Sequence, residues 1–407
     1  MASPVLNTLF RFNSTNGATP QAGLTADPSG NGTLFGATSG GGASGIGTIF
    51  KLAPPAKGKT TWRFNTLYSF QGNGTKADGR NPQSPVLIDP KNGFIYGVTF
   101  NGGPNEYGTV FQLRPPKSGT TAWQESILAN FQNATARGQN PRGALAFDSD
   151  GSLVGTAVLG GRYNDGTAFR LVPPNGKVGW QFKLMQNFGV TSADSMQPNG
   201  GVVRDPSSGV LYGTSSAGGA GGKGTVFSLK AVKGGWKETI LYSFRGGNDG
   251  ATPLGNLIIG SDGSLYGATA LGGAYNSGVV FQLVPPTGSG TKWTLRNLHQ
   301  FLGGTNDGMQ PQSLAIGSKG VLYGSTLYGG GSTVCSGGCG TVYQLTPPPS
   351  GSKIWKEVIL HRFSGKADSA APQGMLVVDT ADNDTLYGTT IGGYSGTDVG
   401  TIFRLRH

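Results

Sequence analysis

Arg137, Arg142, Arg162 and Tyr163 crowd into one stretch of a 407-residue chain, with Arg80 and Tyr107 before them and Tyr275 beyond. Guanidinium forks grip planar oxyanions bidentately, which the point charge of a lysine cannot do. The arginines therefore make a candidate clamp for a carboxylate or sulfate, and Tyr163, Tyr107 and Tyr275 would give flat platforms for a sugar ring. Together they point to binding of an acidic glycan or other polyanionic ligand. The same groups could also run a polysaccharide lyase. Arg142 would neutralise a uronate carboxylate as the enolate develops, and Tyr163 would exchange the alpha proton.

Other chemistries find little support. There is no Gly-x-Ser-x-Gly elbow, no phosphate loop ending in Gly-Lys-Ser/Thr and no His-Glu-x-x-His helix. No cofactor motif is legible, and no metal site is expected. Cys335 and Cys339 alone make a weak ligand set, and Asp148-Ser149-Asp150-Gly151 lacks the ligand series of a calcium loop, so it reads as a hairpin turn. The histidines are poor catalytic candidates: His299 and His361 stand where other copies of a repeat have Tyr68 and Tyr242, and His407 is terminal.

The net charge of +11 invites a nucleic-acid partner, but aromatic residues are not interleaved with basic ones, so that partner ranks last. Many basic residues, among them Lys57, Lys59, Lys117, Lys177, Lys233, Lys292 and Lys353, precede a tryptophan and read as one solvated rim. No segment approaches the ~18 apolar residues of a membrane span.

What would position the arginines is a repeat. A Tyr-Gly-like pair recurs with its glycine at Gly36, Gly97, Gly155, Gly213, Gly267, Gly324 and Gly388, a spacing of roughly 58 residues. Each copy holds four short apolar or alternating runs, the pattern of a four-stranded antiparallel propeller blade. The first run opens on tryptophan and ends on phenylalanine eight residues on, as in Trp62 to Phe70 and Trp123 to Phe131. An even offset puts both rings on one face of a strand, so these aromatics should pack between neighbouring sheets.

The chain opens on a first run, Val5 to Phe12, and closes on a fourth, Gly400 to Leu405. Pairing the two completes the last blade and leaves the ring without a free edge. The expectation is all-β: a seven-bladed β-propeller, one domain over 1–407, monomeric.

Ahead of the second run, the innermost strand, comes an acidic or turn residue and, four positions on, a proline: Asn16 and Pro20, Asp78 and Pro82, Arg137 and Pro141, Asp194 and Pro198, Asp249 and Pro253, Asp307 and Pro311, Asp368 and Pro372. Repetition makes the Asp a turn acceptor rather than a catalytic acid. After each proline stands Gln21, Gln83, Arg142, Asn199, Leu254, Gln312 or Gln373. A ring of such side chains round the axis would hydrogen-bond a hydroxyl-rich ligand or hold only ordered water; both stay open. The third copy departs furthest from the pattern, with Arg137, Arg142 and Val154 in place of the usual Asp, Gln and Tyr.

Leu386-Tyr387-Gly388-Thr389-Thr390-Ile391-Gly392-Gly393 followed by Gly400-Thr401-Ile402-Phe403-Arg404-Leu405 resembles the bacterial tandem repeat known as the GloVer repeat. Leu211 to Gly219 with Gly224 to Leu229 does so too, and the resemblance covers essentially all of the chain. It implies an exported, propeller-like protein, secreted or at the cell surface, and it supplies no catalytic residues. Family members often carry a separate surface anchor. None is expected here, and the start Met-Ala-Ser-Pro-Val has no signal-peptide core. In an oxidising compartment Cys335 and Cys339 could form a disulfide; free thiols are the alternative. Sequons at Asn13, Asn31, Asn73, Asn133 and Asn383 matter only in a cell that glycosylates them.

Overall fold

The computed structural model describes residues 3–72, 78–132, 137–176, 179–288, 290–349, 354–393 and 397–407. Lys177, Lys353, Asn73 and Asn133 lie outside them. Each copy of the repeat folds as an antiparallel sheet with an inner, second, third and outer strand. In blade 2 these are Leu87–Ile88, Ile95–Thr99, Thr109–Arg114 and Gln124–Asn130. Among the described residues seven such sheets stand in a ring. In blades 3 and 5 the inner strand comes in two pieces, Gln139–Pro141 with Ala146–Phe147 and Ala251–Pro253 with Ile258–Ile259.

Blade 7 is closed as the sequence predicts. Val5–Arg11 is its outer strand and pairs antiparallel with Thr401–Arg406, Val5 opposite Arg406 and Arg11 opposite Thr401. No helix among the described residues is long and apolar enough to cross a membrane.

The Tyr-Gly motif is a packing device. A Cβ at Gly97 would lie 2.5 Å from the tip of the Phe111 ring, which crosses from the third strand over the second. The outer-strand phenylalanine then wedges against the next blade: Phe70 meets Phe111 edge-on at 5.3 Å, and Phe131 meets Phe169 at 5.2 Å. Trp62 and Trp180 turn to the tyrosine of the preceding blade, Tyr387 and Tyr96, each at 5.9 Å. The aromatic residues thus join neighbouring sheets, as their even spacing implies.

The proline of each connection reaches the same purpose on the loop side. The glycine that leads into the third strand sits at positive φ, +110° at Gly400, and a Cβ there would lie 2.5 Å from Cδ of Pro20. The residue before the proline is itself left-handed, Thr19 at +55°, and its N–H donates to Val399 O at 2.8 Å. The same latch joins blades 3 and 4, where Gln197 N–H donates to Asp165 O at 2.8 Å.

Cys335 and Cys339 are disulfide-bonded, with Cα atoms 5.2 Å apart, and both are buried beside Phe363 between blades 6 and 7. The turn at Asp148 is a hairpin turn, closed by Asp148 N–H to Ser152 O at 2.8 Å. Its carboxylate accepts from Arg204 Nε at 2.9 Å, tying blade 3 to blade 4.

Candidate functional site

Once the latch has turned the chain inward, the residue after each proline can point only toward the ring axis. Gln21, Gln83, Arg142, Asn199, Leu254, Gln312 and Gln373 all line one open-mouthed cavity of about 80 Å³. Further along, glycines let the inner strands touch. Gly23 forms a parallel bridge with Met375, and a Cβ at Gly143 would lie 2.4 Å from the backbone N of Gly201. The seven side chains are therefore gathered by backbone contact rather than by long reach. In ring order an arc of glutamines, Gln312, Gln373, Gln21 and Gln83, is followed by Arg142, Asn199 and Leu254. Asn256 and Ser313, which the sequence pattern did not single out, join the lining from deeper in the inner strands.

Among the described residues Arg142 is the one charged side chain in this lining. It is half-buried, and burial pulls its pKa below the usual guanidinium value. Its Nη1 donates to Asn199 Oδ1 at 3.4 Å. Asn199 is oriented for this by its own Nδ2, which donates to Ser216 Oγ at 2.7 Å. Among the described residues no carboxylate pairs with Arg142 within 4.0 Å.

The remaining sequence candidates sit elsewhere. Arg80 pairs with Glu106 at 2.5 Å. Tyr107 is packed half-buried beside Phe131, and its carbonyl accepts the latch N–H of Asn140 at 2.8 Å. Arg162 lies 5.6 Å over the ring of Tyr163, with both exposed, and Tyr275 is 61% exposed. The structure brings Arg142, Gln21, Gln83, Gln312 and Gln373 together, and it places none of Arg80, Tyr107, Arg137, Arg162, Tyr163 and Tyr275 in that lining.

Arg137 belongs to a different set. At each junction between blades, three positions meet: the outer-strand residue six after the tryptophan position, the connection residue four before proline, and the next blade's residue two after tryptophan. Where the first can donate, the second is an acid. Tyr68 donates to Asp78 Oδ2 at 2.6 Å, Tyr242 to Asp249 at 2.9 Å, and His361 Nε2 stands 3.0 Å from Asp368. Backbone amides complete the acceptor, as with Gly72 N–H to Asp78 at 2.6 Å and Ser364 N–H to Asp368 at 3.0 Å. Where the first cannot donate, the acid is gone: Phe10 goes with Asn16 and stacks on Phe64 at 3.8 Å, and Ala129 goes with Arg137, whose guanidinium lies 5.1 Å over Phe182. The repeated Asp is thus a junction acceptor.

One such acceptor gives stability a pH dependence. Burial pushes the Asp368 carboxyl up, but hydrogen bonds from His361 and Ser364 outweigh it and hold the pKa at about 2. A depressed carboxylate contributes stability above its unfolded pKa of about 3.9 and loses it as pH falls through the folded value. Discounted for partial solvent screening, this is about 1–2 kcal/mol. Urea melts from pH 5 down to 2 should therefore lose more stability in the wild type than in Asp368→Asn; parallel profiles would refute the assignment.

Among solved structures, a putative oxidoreductase (glucose dehydrogenase) from Thermus thermophilus is 18% identical with a TM-score of 0.44, the match covering 80% of this chain and 94% of that one. A luciferin-regenerating enzyme is 12% identical with a TM-score of 0.45, covering 83% and 92%. A protein of unknown function from Dyadobacter fermentans is 12% identical with a TM-score of 0.44, covering the whole of both chains. No curated protein matches. The profile of the Gloeobacter/Verrucomicrobia repeat matches residues 1–204 and again 148–403. With the repeat running through nearly the whole sequence and each copy folding as one blade, the chain belongs to the Gloeobacter/Verrucomicrobia repeat family.

Proposed function

We propose that the axial cavity binds a carboxylated, hydroxyl-rich group, such as a uronate residue of an acidic glycan, and that the protein works outside the cytoplasm as a binding module. The observation that carries this is Arg142: a half-buried guanidinium without an acidic partner among the described residues, set among side-chain amides. A desolvated cation left unpaired is costly, and the other copies place neutral residues at the same position, so the fold itself does not demand it. A ligand carboxylate would take the guanidinium, and the glutamine arc would meet hydroxyl groups, each amide offering a donor and an acceptor. The buried disulfide supports an oxidising compartment.

A lyase would use the same arginine but needs a base beside it. Among the described residues no tyrosine, histidine or carboxylate lines the cavity, so binding without bond cleavage is the better supported function. Calorimetric titration with glucuronate and galacturonate oligomers, against neutral oligomers, tests it. Arg142→Gln introduces the residue that other copies carry there and should fold; losing a charge-assisted hydrogen bond should weaken binding about 10- to 100-fold. Equal affinity in both proteins, or no acidic sugar bound at all, overturns the proposal. New unsaturated uronate ends appearing during the titration would restore the lyase.

A further inference from the structure

At the junction of blades 5 and 6 the three positions hold His299, Asp307 and Glu357. Their ligand atoms all lie within 4.8 Å of one another, the one such group of three among the described residues. We propose that this junction is a divalent-cation site of borderline character, of the Zn2+ type, with imidazole and two carboxylates as protein ligands and a fourth position left to water.

His299 Nε2 and Asp307 Oδ2 are 3.3 Å apart. That is close to the edge of a tetrahedron with bonds of about 2.0–2.1 Å, roughly 3.4 Å. Glu357 comes from the outer strand of the next blade and needs to close by at most about 1.4 Å from the 4.8 Å limit, within reach of a side-chain torsion. One imidazole nitrogen with two carboxylate oxygens suits zinc-like ions; Mg2+ and Ca2+ prefer all-oxygen sets.

A second observation, independent of the spacing, points to a cation ligand. Oε1 of Glu357 is sealed from solvent and receives no hydrogen bond. The nearby Arg362 makes its hydrogen bond elsewhere, its Nη2 donating to Asn306 O at 3.0 Å. Asp307, 4% exposed, is already well supplied, accepting from Leu302 N–H at 2.8 Å and Gly308 N–H at 2.6 Å besides facing His299 Nε2 at 3.3 Å. Two carboxylates thus share a largely enclosed place with one imidazole, and the second has no donor of its own. Two other junctions resolve their charges differently. Leu295 stands at the Glu357 position beside the Tyr242 and Asp249 pair, and Gln186 donates to Glu238 at 3.0 Å.

The sequence hid this set because its members lie in separate strands and a connection, with no short-range ligand spacing. The test is titration of chelator-treated full-length protein with Zn2+ alone, by calorimetry and by thermal unfolding. One equivalent should bind and raise the unfolding temperature, because an ion that binds only the folded state stabilises it. Glu357→Gln should bind about a hundredfold more weakly. His299→Tyr is the second variant. Tyr68 and Tyr242 show that a phenol at this position can hydrogen-bond the Asp, so the variant should fold while losing the ion. Absorption bands of bound Co2+ should carry tetrahedral intensity in the wild type and vanish in His299→Tyr. No uptake by the wild type, or unchanged uptake in His299→Tyr, overturns the proposal.

Discussion

Removing residues 1–12 is expected to leave a chain without a cooperative native state at room temperature. The segment supplies the outer strand of blade 7, with Leu6 opposite Leu405 and Thr8 opposite Phe403. It also supplies Phe12, 2% exposed, whose ring meets Phe50 of blade 1 at 5.4 Å, and Phe10, stacked on Phe64. Loss of one fully buried phenylalanine alone costs about 3–5 kcal/mol. Adding the second aromatic and the strand's hydrogen bonds brings the total to on the order of 10 kcal/mol, comparable with the whole stability of a typical domain. The truncation also exposes the edge of Thr401–Arg406, a template for pairing with other chains. Circular dichroism melts and size-exclusion chromatography would show a low, broad transition and association. Adding the peptide of residues 1–12 in trans should restore a sharp transition. A truncated protein that melts at the temperature of the full chain would show that the terminal pairing is not what closes the ring.

The blades were legible in the sequence because each rests on local rules that survive repetition. Strand alternation, a glycine under an aromatic ring and a proline against the next loop's glycine all sit at fixed offsets. The ring of Gln21, Gln83, Arg142, Gln312 and Gln373 was legible for the same reason: one residue after a latched proline has one direction to go. What was not legible depends on pairs of blades. Arg137 stands only a few residues before Arg142, but its side chain is claimed by Phe182, a neighbour set by the packing of blade 3 on blade 2. Arg162 and Tyr163 lie on a loop tip, where chain proximity to the axis does not fix side-chain direction. His299 and Glu357 likewise meet only through a junction, so ligand spacing along the chain could not reveal them.

The junction sets make a sharper claim, that the identity of the connection residue follows from its partners. Arg137→Asp should therefore destabilise although it restores the repeat's usual residue. It removes the cation over Phe182 and the hydrogen bond from Nη1 to Asn130 O at 3.2 Å, and it sets a carboxylate against an aromatic face where Ala129 offers no donor. The expected loss is about 2–3 kcal/mol. Ala129→Tyr alone, at a site 6% exposed, should cost about 1–2 kcal/mol, since its hydroxyl would face a guanidinium rather than an acceptor. Together the two changes rebuild the pair seen at Tyr68 and Asp78, where the phenol donates at 2.6 Å. The double variant should then be more stable than the sum of the singles predicts, by about 1–2 kcal/mol in urea unfolding. Additivity within about 0.5 kcal/mol would sink the coupling. The same variants separate scaffold from site: Arg137→Asp should leave the affinity of the axial cavity for acidic sugars unchanged, whereas a loss matching that of Arg142→Gln would return Arg137 to the ligand clamp.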